Sequence, residues 1–361
     1  MVQPIHARAF DGPGELDPSP PLSPPSRGSP SPQSVVRDAS QIPDVSHLTG
    51  RPAGRTSGGL SSGLSAGAGV VAAGPSPSAA LAIQSRLDAF LAAATPTYRT
   101  PDGDVQVSTP FRLAGAGPHE AGVKANGVAV RVVAMAIGMS RSEVTLIQQG
   151  RATPGQVQRL TQGLIDAGLL PPSGGGGAAL SARIRQMMFD HGIGFDCAGY
   201  VRQAFVAAHP EGSAARWRTP VNEDLSGLAA RGFARLSMSD AETGDIIVLK
   251  APRPTEYGHT LIVYDAHSAT RSERAILDTL ARIQPTVGVI ANSHCLRVLV
   301  VDSSWGSGDD AAAGGVQRQT WFEDQVSGKW LSIEPNGRTF TITESIYGHA
   351  VDGVYRPAGG S

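Results

Sequence analysis

The sequence of 361 residues carries 30 Lys and Arg against 31 Asp and Glu, and this formal net charge of -1 argues against a protein that coats nucleic acid. Its 44 glycines and 27 prolines form about a fifth of the chain, against roughly 12% in an average protein, so part of it is not expected to be folded core. Two cysteines, Cys197 and Cys295, are too few for a disulfide scaffold or a four-thiolate zinc site. The sequence contains no apolar run of about 18 residues, so we expect no membrane insertion.

Residues 1–80 are predicted to be a disordered leader and linker. Residues 11–33 contain eight prolines and five serines, and 20 of the 24 residues from 57 to 80 are Gly, Ser, Ala or Pro. Such composition offers little apolar surface to bury. The N-terminus also lacks the charged and apolar regions of a secretory signal. Its composition resembles the leaders of proteins injected by bacterial secretion machines, so we expect secretion by a specialised, non-classical route.

Residues 81–172 are predicted to form a small helical domain. Apolar residues recur at helical spacing over residues 80–94, and Thr95-Pro96 ends that helix. A second helical block covers about 127–170. The glycine-rich tract 173–177 then predicts a hinge before the rest of the chain.

The segment 132–150 resembles the helix-turn-helix of bacterial repressors. Ala134 is small enough for two helices to approach, Gly138 suits the turn, and the aliphatic Val144 holds the second helix. Another helix is predicted to start near Thr153-Pro154. Residues 112–170 carry a net charge of only +3, which is modest for phosphate contact. We therefore do not expect nucleic acid as a partner, and the alternative to a DNA-binding unit is a plain helical bundle.

Residues 178–361 are predicted to fold as an α+β domain. Helical patterns come first, and short apolar runs typical of strands follow. These runs cover 245–249, 259–265 and 296–302, and residues 320–333 look like a hairpin with Ser-Gly at its turn. This order predicts helices that pack on an antiparallel sheet.

Cys197 is the candidate nucleophile. Asp196 is a plausible N-cap, so Cys197 would open a helix, where the positive end of the dipole favours thiolate. Cysteines in such positions titrate at ~3.5–7.5 instead of near 8.5. Backbone N–H groups of the same turn could also stabilise an oxyanion. Asp196 is assigned a supporting role.

His259 is the candidate base, because it follows a Pro/Gly-rich loop and starts an aliphatic strand. Asp302, at the end of another apolar run, is the candidate that orients its ring. Asn292 and His294 are rivals for that third role. Trp305 could line a substrate cleft or simply pack.

These residues carry a resemblance to a known family. The sequence DCAGYV at 196–201, a Gly-Asp turn into a strand at 244–245, and Gly-His into a second strand at 258–259 resemble the NlpC-type bacterial cell-wall cysteine peptidases. The resemblance covers residues 178–305. It implies a papain-like α+β fold that cuts amide bonds of peptidoglycan stem peptides, with Cys197 as nucleophile, His259 as base and Asp302 as the third residue.

The sequence departs from that family in three places. Ala198 stands where the family has serine, and RIRQMMFDHGIG replaces a tyrosine-containing segment before the cysteine. About 30 residues, 266–295, separate the histidine strand from the next one, which is longer than the family norm.

The sequence therefore predicts a cysteine-dependent amide hydrolase, a peptidoglycan endopeptidase or amidase, delivered as a secreted effector. No cofactor or metal is expected, because no ligand cluster is visible. The partners expected are a peptidoglycan peptide or protein substrate and a neutralising protein. The alternatives are a host-directed protease, deamidase or acyltransferase of papain-like fold, and a non-enzymatic protein that binds DNA or a partner through the helix-turn-helix-like segment.

Overall fold

Helices dominate the first half of the described chain and strands the second. The structure is a computed structural model, and the residues it describes are 74–112, 120–172, 177–210, 228, 232–250, 258–283, 287–306, 314–333, 339–342 and 351–357. All of them fall within one compact unit, Ile42–Ser361. Most of the leader expected over residues 1–80 lies outside the described residues, as do residues 173–176 of the expected hinge.

In chain order the helices are α1 (Pro77–Ala94), α2 (Glu120–Ala136), α3 (Arg141–Gln148), α4 (Pro154–Asp166), α5 (Ala178–Asp190), α6 (Cys197–Ala208), α7 (Arg271–Ile283) and the short α8 (Gly288–Ala291). Helices α1, α4 and α6 begin close to the predicted positions, whereas α2 begins about seven residues before the predicted block at 127. Local capping explains several of these starts. The Ser140 and Thr153 side chains each accept a hydrogen bond from the third residue of their helix, and Pro154 opens α4 at the position where no N–H is needed.

The helices α2 and α3 follow each other as the sequence predicts. Ala134 on α2 and Val144 on α3 are buried in the same core cluster, and Gly138 lies between the two helices with φ of +71°. A left-handed conformation of this kind is accessible to glycine without steric cost. The structure thus has two helices joined by a glycine turn at the predicted place, and the resemblance to repressors stays a prediction.

The strands form one antiparallel sheet of eight and a separate short pair. Their bounds are β1 (Thr97–Tyr98), β2 (Val105–Gln106), β3 (Phe233–Leu236), β4 (Ile246–Leu249), β5 (His259–Ser268), β6 (Leu296–Trp305), β7 (Gly315–Asp324), β8 (Lys329–Ile333), β9 (Thr339–Ile342) and β10 (Val351–Pro357). The strand order of the large sheet is β3-β10-β4-β5-β6-β7-β8-β9. The predicted hairpin is the β7–β8 pair, with Gly328 in its turn.

The central strands β5 and β6 are buried on both faces. The core therefore has two parts, one on each face of the sheet. The larger part of the core lies on the helix face, where α1 and α6 pack against β5 and β6. A smaller cluster on the opposite face includes Leu261, Val301 and Trp321. Because successive side chains of a strand point to opposite faces, each residue of β5 and β6 belongs to one face or the other.

The α+β prediction is confirmed in its general form, with helices packed on an antiparallel sheet. The long insertion at 266–295 consists of the end of β5 followed by α7 and α8. The sequence interpretation did not assign these two helices.

Candidate functional site

Cys197 is the first residue of α6, as the sequence predicts. The Asp196 side chain caps the helix and accepts a hydrogen bond from the Gly199 N–H. The Asp196 N–H donates to the Gly150 carbonyl, 3.1 Å away in the loop between α3 and α4. A Cβ on Gly199 would overlap this carbonyl, so glycine is needed for the loop to lie against the helix start. The helical region therefore contacts α6 directly at the candidate nucleophile.

The electrostatic surroundings of Cys197 do not favour a thiolate. Loss of hydration and then the neighbouring Asp196 carboxylate raise the pKa of the Cys197 thiol to about 11, and hydrogen bonds from Thr260 and Ala198 oppose this only in part. The lowered pKa expected from the helix dipole is therefore wrong for this arrangement. Burial also raises the pKa of Asp196, to about 6. Cys197 itself is partly exposed.

His259 opens β5, as predicted, but its ring lies on the face of the sheet opposite to α6. Its ring centroid is 4.1 Å from that of Trp305, which packs with Trp321 in the smaller core cluster. The next residue, Thr260, points to the helix face and interacts with the Cys197 thiol. The largest influences on the pKa of this thiol, besides loss of hydration, come from Asp196, Thr260 and Ala198.

Ser303 of β6 contributes the polar contact to the His259 ring. The Ser303 Oγ lies 3.2 Å from His259 Nε2 and donates its hydrogen to the Thr260 carbonyl at 2.7 Å. Because that hydrogen is already used, the serine oxygen is the acceptor and His259 Nε2–H the donor. Nε2 therefore carries a proton in this arrangement and is not the basic nitrogen.

Asp302 lies on the helix face, and the structure does not bring its carboxylate to His259. Asp302 is opposite Ile262 in the β5–β6 ladder, and His259 is three residues from Ile262, so alternation places the two candidate side chains on different faces. The Asp302 carboxylate instead accepts two hydrogen bonds from the Arg318 guanidinium, at 2.7 and 2.8 Å. This corrects the expected orienting role, since Asp302 is fully buried in an ion pair.

The rivals Asn292 and His294 are not near His259 either. Both precede β6, whereas His259 is next to Trp305 at the other end of that strand. Ten residues of strand separate the two ends by roughly 30 Å. Trp305 packs on the His259 ring, which fits the packing alternative more directly than a substrate cleft.

The residues that complete these surroundings were missed by the sequence interpretation. Thr260 beside the thiol, Ser303 beside the imidazole and Arg318 on Asp302 occur in no motif of their own. Ser304, next to Ser303, points to the helix face and donates to the Phe195 carbonyl at 2.8 Å. The only available sign was the polar triplet 302–304 at the end of an apolar strand.

In the part of the chain that the structure describes, no set of three or more His, Cys, Asp or Glu side chains is placed to hold a metal ion. No helix there combines the length and apolar character needed to cross a membrane. Comparison of the chain with protein-family models, curated proteins and solved structures gave no match.

Proposed function

We propose that this chain is a cysteine-dependent amide hydrolase of NlpC-like, papain-type fold, and that the arrangement of Cys197 and His259 described above is its resting state. The observation that carries the proposal is the position of Cys197, which is partly exposed at the first position of α6 and packed beside the start of the strand that His259 opens. The residue that touches the thiol, Thr260, is the direct neighbour of His259.

The reaction would follow the usual course for a thiol nucleophile. The thiolate adds to the carbonyl carbon of the amide, and N–H groups of the first helical turn stabilise the oxyanion. The C–N bond then breaks, the leaving amine takes the proton that the imidazole had removed from the thiol, and a thioester remains. Water hydrolyses the thioester and restores the thiol. Peptidoglycan stem peptides are the proposed substrate, with a host protein as the alternative.

This chemistry needs His259 on the helix face. A shift of one residue in the pairing of a strand moves every side chain to the other face, and β5 already changes register against β6 between Val263 and Asp265. Such a shift at the start of β5 would exchange Thr260 for His259 beside Cys197. The imidazolium would then also counter the effect of Asp196 on the thiol pKa.

The test combines product analysis with thiol reactivity on the full-length protein. Peptidoglycan is incubated with the wild type and with Cys197→Ala, and soluble fragments are identified by mass spectrometry. In parallel, the rate of iodoacetamide labelling at Cys197 is measured with and without peptidoglycan, and the exposed Cys295 is the internal reference. We expect fragments only from the wild type, and labelling of Cys197 that accelerates with substrate unless His259 is replaced by alanine.

The competing function is a binding protein with an inactive relative of the catalytic domain. This function is favoured by the surroundings of Cys197. Burial and Asp196 raise the pKa of its thiol to about 11, so the thiol is almost fully protonated near pH 7. Two results together would exclude hydrolysis of the cell wall and favour the binding function. These are slow labelling of Cys197 in all conditions and no Cys197-dependent fragments from peptidoglycan. Delivery by a specialised secretion system and a neutralising partner remain proposals that rest on the composition of the leader.

A further inference from the structure

Helix α2 carries a row of apolar side chains that point away from the protein. Val128, Val132 and Met135 are 62, 55 and 68% exposed. They are four and three residues apart, so they share one face of the helix. We call these three residues the apolar row. The other large hydrophobic side chains that are exposed among the described residues, Leu81 and Val326, lie on separate elements.

The opposite side of α2 is also apolar. Val123, Val130, Val133 and Ala134 are buried against the rest of the molecule. Exposed apolar side chains that lie together on one face are a mark of an interaction site. No element of the described chain covers the apolar row, so α2 has a second apolar face that is open to a further contact.

The charges around the apolar row restrict what can cover it. Lys124 and Arg131 are exposed one helical turn from Val128, on one edge of the row. The opposite edge carries Ala125 and Ala136, also exposed, which are small enough for close approach of another helix. The acidic residue of α2, Glu120, is ion-paired with Arg112 at 2.6 Å and lies at the helix start. The surface is therefore apolar with a cationic edge.

We propose that the apolar row binds an amphipathic helical segment of a partner protein that carries carboxylates along one edge. Apolar side chains of the segment, three and four residues apart, would cover the row, and its carboxylates would meet Lys124 and Arg131. A second copy of this chain fits less well, because a symmetric contact of α2 with itself contributes cations from both sides. DNA offers phosphates to the cations but no apolar surface along the row.

This proposal is independent of the hydrolase, because α2 carries none of the residues assigned to that site. The test measures binding of labelled peptides to the full-length protein by fluorescence anisotropy. The probe is an alanine-based peptide of about 18 residues, long enough to form a helix, with leucines at helical spacing and glutamates along one edge. A matched probe has lysines in place of the glutamates.

We expect the glutamate probe to bind ~10-fold more tightly than the lysine probe, and Val132→Asp to weaken it ~10-fold. Arg131→Glu should reduce the preference between the probes. The control is Leu81→Asp, because Leu81 is 62% exposed, as Val128 is, but lies on α1. It should change the affinity by less than about twofold, as expected for a surface substitution elsewhere. Circular dichroism checks that each variant is folded.

Four results would overturn the proposal. Equal affinity for the two probes would exclude a preference for an acidic partner. Equal effects of Leu81→Asp and Val132→Asp would exclude the apolar row as the binding site. Sedimentation as a dimer that Val132→Asp dissociates would assign the surface to a second copy. Salt-dependent retention of duplex DNA that Arg131→Glu abolishes, with no binding of either peptide, would assign it to nucleic acid.

Discussion

Buried polar residues have different surroundings on the two faces of the β5–β6 pair. On the helix face, the buried Asp302 carboxylate is matched by Arg318, which also binds Asp88 at 2.7 Å and stacks over the Tyr264 ring. On the opposite face, His259 lies against Trp305 and the Ser303 hydroxyl. The first set has the features of a structural ion pair, because each charge has a bonded counterpart.

Burial of a polar residue therefore does not by itself identify its role. Asp302 and His259 are both buried, but Asp302 is held in an ion pair by Arg318, whereas the His259 ring packs on Trp305. The candidate thiol lies on the same face as Asp302, beside Thr260. The sheet therefore separates the candidate nucleophile Cys197 from the candidate base His259.

The largest effect is expected for Arg318→Met. This change leaves the Asp302 carboxylate buried without its counter-ion, and breaking a buried pair from one side costs about 3–5 kcal/mol of unfolding free energy. Urea denaturation of the variant and the wild type measures this loss of unfolding free energy. The double variant Arg318→Met/Asp302→Leu should recover most of the loss. If Asp302→Asn instead leaves stability unchanged but abolishes hydrolysis, Asp302 acts on the reaction after all.

The next largest effect is a gain in the free energy of unfolding, which we expect for Asp196→Asn. Burial raises the pKa of Asp196 from 3.8 to about 6, so the folded state binds this proton more tightly, and stability falls as pH rises from about 4 to about 6. Asparagine keeps the cap without the charge. We expect a gain of ~2–3 kcal/mol at pH 7 and almost none at pH 3, by denaturation at both values.

The same variant should label faster at Cys197, because Asp196 contributes to the raised thiol pKa. The exposed Asp166 on α4 supplies the control Asp166→Asn. A pH-independent effect of Asp196→Asn, or equal effects of both variants, would contradict the assignment of this charge.

β5 carries a second histidine that differs from His259 in its surroundings. His267 lies between Asp265 and Glu273, at 3.2 and 3.0 Å. Burial lowers its pKa, but hydrogen bonds to the two carboxylates outweigh this and raise the pKa from 6.5 to about 9. Its contribution is therefore complete below about pH 6.5 and is lost as pH rises through about 9.

We expect His267→Gln to cost ~1–2 kcal/mol at pH 6, discounted for partial solvent exposure, and little at pH 10. Stability curves of the two proteins over this pH range should converge at the alkaline end. Curves that stay parallel would show that the ring contributes by packing alone.

The sequence predicted well what is determined locally. The Asp196 cap sets the start of α6 at Cys197 and Thr153-Pro154 the start of α4, because capping depends on neighbours in the chain. The faces of β5 and β6 could not be predicted in this way. The middle parts of the two strands, residues 261–264 and 298–301, are apolar at every position, so no alternation marks an inner and an outer side. Only the pairing of Ile262 with Asp302 places His259 and Asp302 on opposite faces.

The smallest effects, and the sharpest comparison of the two faces, come from the neighbouring serines of β6. Ser303→Ala removes the hydroxyl that contacts the His259 ring, and Ser304→Ala removes one that bonds the Phe195 carbonyl on the helix face. Each should cost ~1 kcal/mol, as a single buried hydrogen bond does. Only Ser303→Ala should change the ¹⁵N shifts of the His259 ring, because only Ser303 accepts its Nε2–H. A change in those shifts with Ser304→Ala instead would place the imidazole on the helix face in solution, beside Cys197, and would favour the assembled catalytic pair.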